Sequence, residues 1–241
     1  NNVSWVHTDF VENHWSKRHF VANDEYKAYV SLNKLVFVSE YAKKQFAKVF
    51  DLPHTIKQYV CANVINVDEI KTKSLEPIDD IVKTKFTICS VGRLEEVKGY
   101  DMVINAAKVL KERNVDVDFW ILGTGSQEKQ LKEQLRQSQC EDMVHFLGYK
   151  DNPYPYMKLA DVYLSSSYAE GLPLVLCEAQ CLGMPIIATK TIGALQLLKN
   201  GTNSRLIDIS AIAIADAVEE WMTNNNCVST DDITFREYHT N

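Results

Sequence analysis

The chain has 241 residues, 46% hydrophobic and 24% charged, which is an ordinary globular composition with length for one large core or two smaller ones. Its formal charge of −6 and scattered Lys and Arg exclude a general nucleic-acid binder, because a surface that tracks phosphates needs a basic excess. No apolar run approaches the ~20 residues of a membrane helix, and the start NNVSWVHTDF is no signal peptide.

Predicted elements begin with a short strand at 3–6 that opens on His7, then a helix over 24–32 and a buried strand at 34–38. Ser39 is placed to cap the next helix, with Glu40 in its first turn, and a strand follows at 56–60. This is βαβ material, but three strands are too few for a stable open sheet alone. Residues 1–65 are therefore expected to be the remnant of a larger α/β domain. Residues 66–85 are polar, carry Pro77, and read as a connector with a short helix.

From Phe86 the pattern becomes regular. Strands are predicted at 86–91, 117–122, 144–147, 161–164, 185–188 and 204–207. Helices are predicted at 100–111, 127–137, 156–159, 172–182, 194–199 and 211–222. Such alternation implies a parallel, Rossmann-like sheet flanked by helices. The expected division is 86–210 as this α/β domain and 211–241 as a C-terminal helix and tail. Six cysteines (Cys61, Cys89, Cys140, Cys177, Cys181 and Cys227) form no CxxC pair and mostly sit in apolar segments, which suits a reducing, cytoplasmic setting.

Ligands of open parallel sheets bind beyond the carboxyl ends of the strands. Four predicted strand ends carry chemistry. The first runs Gly92-Arg-Leu-Glu-Glu-Val-Lys-Gly99, where Gly92 allows close backbone approach and Arg93 and Lys98 supply two cations. Those cations suit a diphosphate, although a solvated surface loop fits them too. The second, Gly123-Thr-Gly125, lacks the third glycine of a dinucleotide fingerprint, Glu128 standing there instead, so nicotinamide binding is disfavoured. The third, at Gly148, Tyr149 and Lys150, can offer backbone groups to a nucleobase edge.

The fourth end holds Glu170 and Glu178, eight positions apart, with Gly171 after the first. Glu170 is expected in a strand-to-helix turn and Glu178 about two turns inside the helix, roughly 10 Å away. Two carboxylates flanking a helix N-terminus can hold hydroxyls at both ends of a molecule whose middle is anionic. A sugar–diphosphate–nucleoside has that form. An incidental Glu at a helix start, favoured by the dipole, fits the spacing as well. Asp116-Val-Asp118 has the DxD form of a metal site, but it lies at the amino end of its strand, away from these loops.

In order, the segments SVGRLEEVKG, ILGTGSQEKQL, VHFLGYK, DVYLSSSYAEGLPLVLCEAQCLGMPIIAT and NGTNSRLID make residues 86–208 resemble the donor-binding domain of family 4 retaining glycosyltransferases of the GT-B fold. The resemblance implies that Glu170, the first Glu of E-x7-E, lies by the donor sugar and that Glu178 meets the ribose. It implies a diphosphate held by Arg93, Lys98 and the amides of Gly171 and Leu172, beside Gly92. WVHTDF is similar to a family strand with a His near the donor sugar, which makes His7 the second catalytic candidate; a core or surface histidine is the plain alternative. His14 and His19 are weaker candidates for facing an acceptor.

Pro173 stands where the family usually has a second glycine, which removes one potential amide donor. Much of the acceptor domain is expected ahead of Asn1. The implied reaction is retaining transfer from a nucleotide-diphosphate sugar, UDP favoured over GDP, to a saccharide or lipid-linked hydroxyl, without metal or other cofactor. Bacterial surface-polysaccharide synthesis is the implied pathway, in the cytoplasm or at the inner membrane face, where the absent N-terminal residues leave a peripheral membrane contact open. Two alternatives stand beside it: a nucleotide-sugar-binding module without turnover, and a nucleotide-sugar epimerase of related fold.

Overall fold

The structure is a computed structural model that describes residues 2–7, 10–11, 14–21, 23–61, 63–201 and 203–224. Thr8 and Asp9 of WVHTDF, Cys227 and the expected tail after residue 224 lie outside the described residues. The described residues divide into two compact units, one within 1–64 with 169–173 and one within 65–168 with 174–224.

The first unit is a three-stranded sheet of β1 (Val3–Val6), β2 (Lys34–Phe37) and β3 (Lys57–Val60), in that order. Both pairings are parallel. Leu35 and Phe37 bury one face against Phe46, on α2 (Glu40–Val49), and Phe10. Ser39 caps α2 as its sequence indicates, its hydroxyl accepting from the Ala42 amide at 3.0 Å. Between the first two strands lies α1 (Asp24–Val30).

The second unit opens with α3 (Val67–Lys73), the short helix expected in the connector. Its sheet holds β4 (Phe86–Val91), β5 (Val117–Leu122), β6 (Val144–Gly148), β7 (Val162–Ser165), β8 (Ile186–Thr189) and β9 (Ser204–Ile207). The order is β6-β5-β4-β7-β8-β9, and every pairing is parallel. The helices are α4 (Tyr100–Glu112), α5 (Glu128–Ser138), α6 (Tyr154–Leu159), α7 (Leu174–Cys181), α8 (Ile192–Leu197) and α9 (Ala211–Asn224).

Side-chain alternation splits the strands between two cores. Ile88, Phe119, Ile121, Leu164 and Ile187 pack with α4, α5 and α9. Cys89, Trp120, Leu122, Tyr163 and Ile186 pack with α3, α6, α7 and α8. The result is the expected α/β architecture, a parallel sheet between two helical layers. At the far end of α4, Arg113 pairs with Asp216 at 2.7 Å and Glu219 at 3.0 Å, tying it to α9. No helix among the described residues is long and apolar enough to cross a membrane.

Candidate functional site

Successive strands β4, β5 and β6 build the sheet in one direction, while β7, β8 and β9 build it in the other. The order therefore reverses between β4 and β7, which pair through Ile88–Val162 and Cys89–Tyr163. At such a switch, ligands of open parallel sheets bind outside the carboxyl ends of the two adjacent strands. The Gly92–Gly99 loop leaves β4 there, and the Ser166–Tyr168 segment leaves β7.

Leu94 fixes the first of these loops. Its side chain is fully buried, its amide donates to Thr124 at 2.9 Å, and its carbonyl accepts from Gln127 at 2.9 Å. Anchoring at Leu94 leaves Arg93 exposed and Lys98 half-buried. A Cβ on Gly92 would meet the Tyr100 hydroxyl at 2.9 Å and Lys98 Cε at 3.6 Å. Gly92 thus leaves room for the lysine stem to cross the backbone. Residues Glu96–Lys98 form a single 3-10 turn, and Gly99 at φ +64 links it to α4.

The two loops are fastened to each other. The Ser166 hydroxyl donates to the Lys98 carbonyl at 2.8 Å, and the Tyr168 amide donates to the Val97 carbonyl at 2.8 Å. Gly99 lies so close that a Cβ there would stand 2.2 Å from the Ser166 carbonyl oxygen. From the other side, the buried Thr189 hydroxyl donates to the Ser167 carbonyl at 2.6 Å.

Behind the cationic loop stands the Gly123-Thr-Gly125 turn. A Cβ on Gly123, which has φ +137, would fall 1.9 Å from the Gly92 carbonyl oxygen, and one on Gly125 would fall 2.4 Å from that of Leu94. These glycines serve close packing of two turns. The Gly123 amide donates to the Gly148 carbonyl at 2.7 Å, beside a register shift between β5 and β6. Gly148 takes φ +71 with open space around its missing Cβ, and Tyr149 is 70% exposed. The Lys150 ammonium instead pairs with Asp80 and lies 5.3 Å from the Tyr156 ring centroid. Its side chain thus braces the 66–85 segment.

One sequence expectation is corrected on α7. The helix starts at Leu174, directly after Pro173, so Glu178 is its fifth residue and lies about one turn inside rather than two. Glu178 is half-buried, and burial pushes its carboxyl above the usual carboxylate range, while a hydrogen bond from Tyr154 pulls it partly back. The Tyr154 phenol is itself pushed up to about 12, by burial and by that carboxylate, and so remains a donor. Nothing in the sequence marks Tyr154, because its role comes from the meeting of α6 with α7.

Glu170, Gly171 and Leu172 belong with residues 1–64 in the first unit, as does His7. His7 is exposed just past the carboxyl end of β1, stacked on Trp5 with centroids 6.0 Å apart. His14 bonds the buried Glu25 at 2.9 Å and packs on Phe10, which accounts for it as part of the core. The Asp116–Asp118 pair is also accounted for: Lys85 binds Asp116 at 2.8 Å, and His145 bonds Asp118, which lies within β5, at 3.2 Å.

The family model for glycosyl transferases group 1 matches residues 72–233. The chain belongs to this family. It is 27% identical over 195 residues to an uncharacterized glycosyltransferase of Methanocaldococcus jannaschii, covering 78% of this chain and 47% of that protein. It is 35% identical over 132 residues to the putative colanic acid biosynthesis glycosyltransferase WcaL of Escherichia coli, covering 52% of this chain and 32% of that one. Among solved structures, HepE of Anabaena in complex with UDP-glucose superposes with a TM-score of 0.72 at 20% identity, over 92% of this chain and 63% of that one. This group 1 chain has the GT-B type of α/β fold and spans about half or less of the length of the two sequence relatives.

Proposed function

We propose that this group 1 chain carries the donor-binding part of a retaining glycosyltransferase, one that moves a sugar from a UDP-sugar to a hydroxyl acceptor in bacterial surface-polysaccharide synthesis. The observation that carries the reading is the place of Arg93 and Lys98: their loop leaves β4 where the strand order reverses. Two cations on one anchored loop at that switch point suit a diphosphate, whose two negative charges they would neutralise. The HepE complex, with UDP-glucose bound to the same fold, supports the donor class. WcaL, named for colanic acid biosynthesis, supports the pathway.

In this reading Glu178 accepts hydrogen bonds from ribose hydroxyls, the backbone at Gly148–Lys150 meets the base, and Glu170 and His7 serve the sugar. The amides of Gly171 and Leu172 add donors to the diphosphate. The bond from the anomeric carbon to the diphosphate oxygen breaks as the acceptor oxygen attacks the same face. The acceptor hydroxyl proton passes to the departing phosphate. Arg93 and Lys98 stabilise the charge that develops on that leaving group, which makes a metal unnecessary.

Calorimetric titration of the chain with UDP and with GDP tests the donor site, and incubation with radiolabelled UDP-sugars and a hydroxyl acceptor tests transfer. Tighter binding of UDP, together with a product of retained anomeric configuration, supports the proposal. Absence of binding by either nucleotide refutes it, and an inverted product refutes the mechanism.

A further inference from the structure

The 92–99 loop has a second surface that the donor reading does not use. Opposite chemistry gathers there: a cleft of about 440 Å³ opens between the loop, the start of α4, the start of α5 and Tyr168, all within the second unit. Three carboxylates line it, Glu95, Glu96 and Asp101, and no lining side chain is cationic. Three carboxamides from α5 and the residue before it, Gln127, Gln130 and Gln134, face them across the cleft.

Much of this wall is held in place. Glu95 accepts from the Ser126 hydroxyl at 2.8 Å and from its amide at 3.3 Å. Those bonds hold its carboxyl below the usual range, so it stays ionised. The Tyr168 hydroxyl donates to Asp101 at 2.7 Å, and Gln134 donates to the Asp101 carbonyl at 3.0 Å and to Asn105 at 3.1 Å. Tyr168 nevertheless remains 39% exposed, which leaves part of its aromatic ring available to an apolar surface.

We infer that this cleft is a binding site for an uncharged or amino-bearing saccharide, separate from the proposed donor site. Carboxylates accept pairs of neighbouring hydroxyls, and carboxamides both donate and accept, so together they match the mixed donor–acceptor surface of a sugar ring. The Tyr168 ring suits the apolar C–H face of the same ring. The volume falls in the range of small-ligand sites. Three carboxylates against one nearby cation, Arg93 beside Glu95, which does not line the cleft, disfavour phosphates and uronic acids by like-charge repulsion.

The test uses the intact chain without nucleotide, so it reads independently of the proposed donor site. Backbone-amide NMR titrations are run with methyl α-D-glucopyranoside, D-glucosamine and D-glucuronate. The first two should shift the amides of 95–101, 127–134 and 168 with millimolar affinity, as a few hydrogen bonds to a small ligand provide. D-Glucuronate should bind at least about five-fold more weakly. Gln130→Ala, at an exposed position that leaves the fold intact, should weaken the first two about three-fold or more. Saccharide shifts confined to other residues, equal binding of glucuronate, an unaffected Gln130→Ala, or no binding at about 50 mM sugar would each overturn the inference.

Discussion

The Ser166 side chain donates to the main-chain carbonyl of Lys98 at 2.8 Å, joining the segment after β7 to the loop that carries both cations. Ser166 is 3% exposed, so replacing it with Ala leaves a carbonyl without this donor in a site that water reaches poorly. Ser166→Ala should cost about 1–2 kcal/mol in urea unfolding and weaken UDP binding several-fold, because Lys98 loses a fixed base. Lost stability with unchanged UDP affinity would show that this bond does not position the cation.

Two glycines at strand ends should respond very differently to alanine. At Gly123 the added methyl would overlap the Gly92 carbonyl at 1.9 Å, on a backbone already at φ +137, and only movement of the cationic loop relieves it. Gly123→Ala should lose more than about 3 kcal/mol or fail to fold. At Gly148 the methyl meets open space and pays only for φ +71, so Gly148→Ala should lose about 1 kcal/mol. Thermal and urea unfolding of the two variants compares them directly; equal losses would contradict the packing described at Gly123.

The second unit was largely legible in the sequence because its strands are dense runs of Val, Ile, Leu and Phe separated by helical periods. Strands 86–91, 117–122 and 204–207 fall where the pattern puts them. Signals that depend on what meets across the fold were not legible. Gly123 and Gly125 read as a weak nucleotide motif, whereas their requirement is the backbone of Gly92 and Leu94. The start of α7 shifts past Pro173, since the apolar period continues through a turn that is not helical. Tyr154 and the Glu95–Tyr168 cleft join residues from separate elements, and no local pattern records such meetings.

Lys98 tests the proposed diphosphate clamp. Its stem crosses Gly92, so the ammonium is carried by a supported chain rather than a free one. Lys98→Ala should weaken UDP binding about ten-fold or more, the loss of one charge-assisted bond, while the fold remains intact by circular dichroism. Added salt should weaken the wild-type chain more than the variant, because one screened charge is missing from the latter. Unchanged affinity would remove Lys98 from the clamp, and Arg93→Ala would then be the remaining test.

Glu178 links nucleotide binding to pH. Burial is the larger effect on its carboxyl and raises it above the unfolded value, with Tyr154 opposing. Between the two values the folded chain holds more protons than the unfolded one. Its contribution to stability is therefore full below the unfolded value and is lost as pH rises through the folded one. Binding of ribose hydroxyls by an ionised Glu178 runs the other way and strengthens as pH rises through the same window. Tyr154→Phe removes the opposing bond and should move that rise to higher pH. Glu178→Gln should flatten both dependences and, near neutral pH, unfold at slightly higher urea than wild type. Titrations with UDP-glucose, whose diphosphate keeps one charge state in this window, and urea melts between about pH 4 and pH 8 measure the two slopes. A UDP-glucose affinity independent of pH in the wild-type chain would refute the ribose role of Glu178.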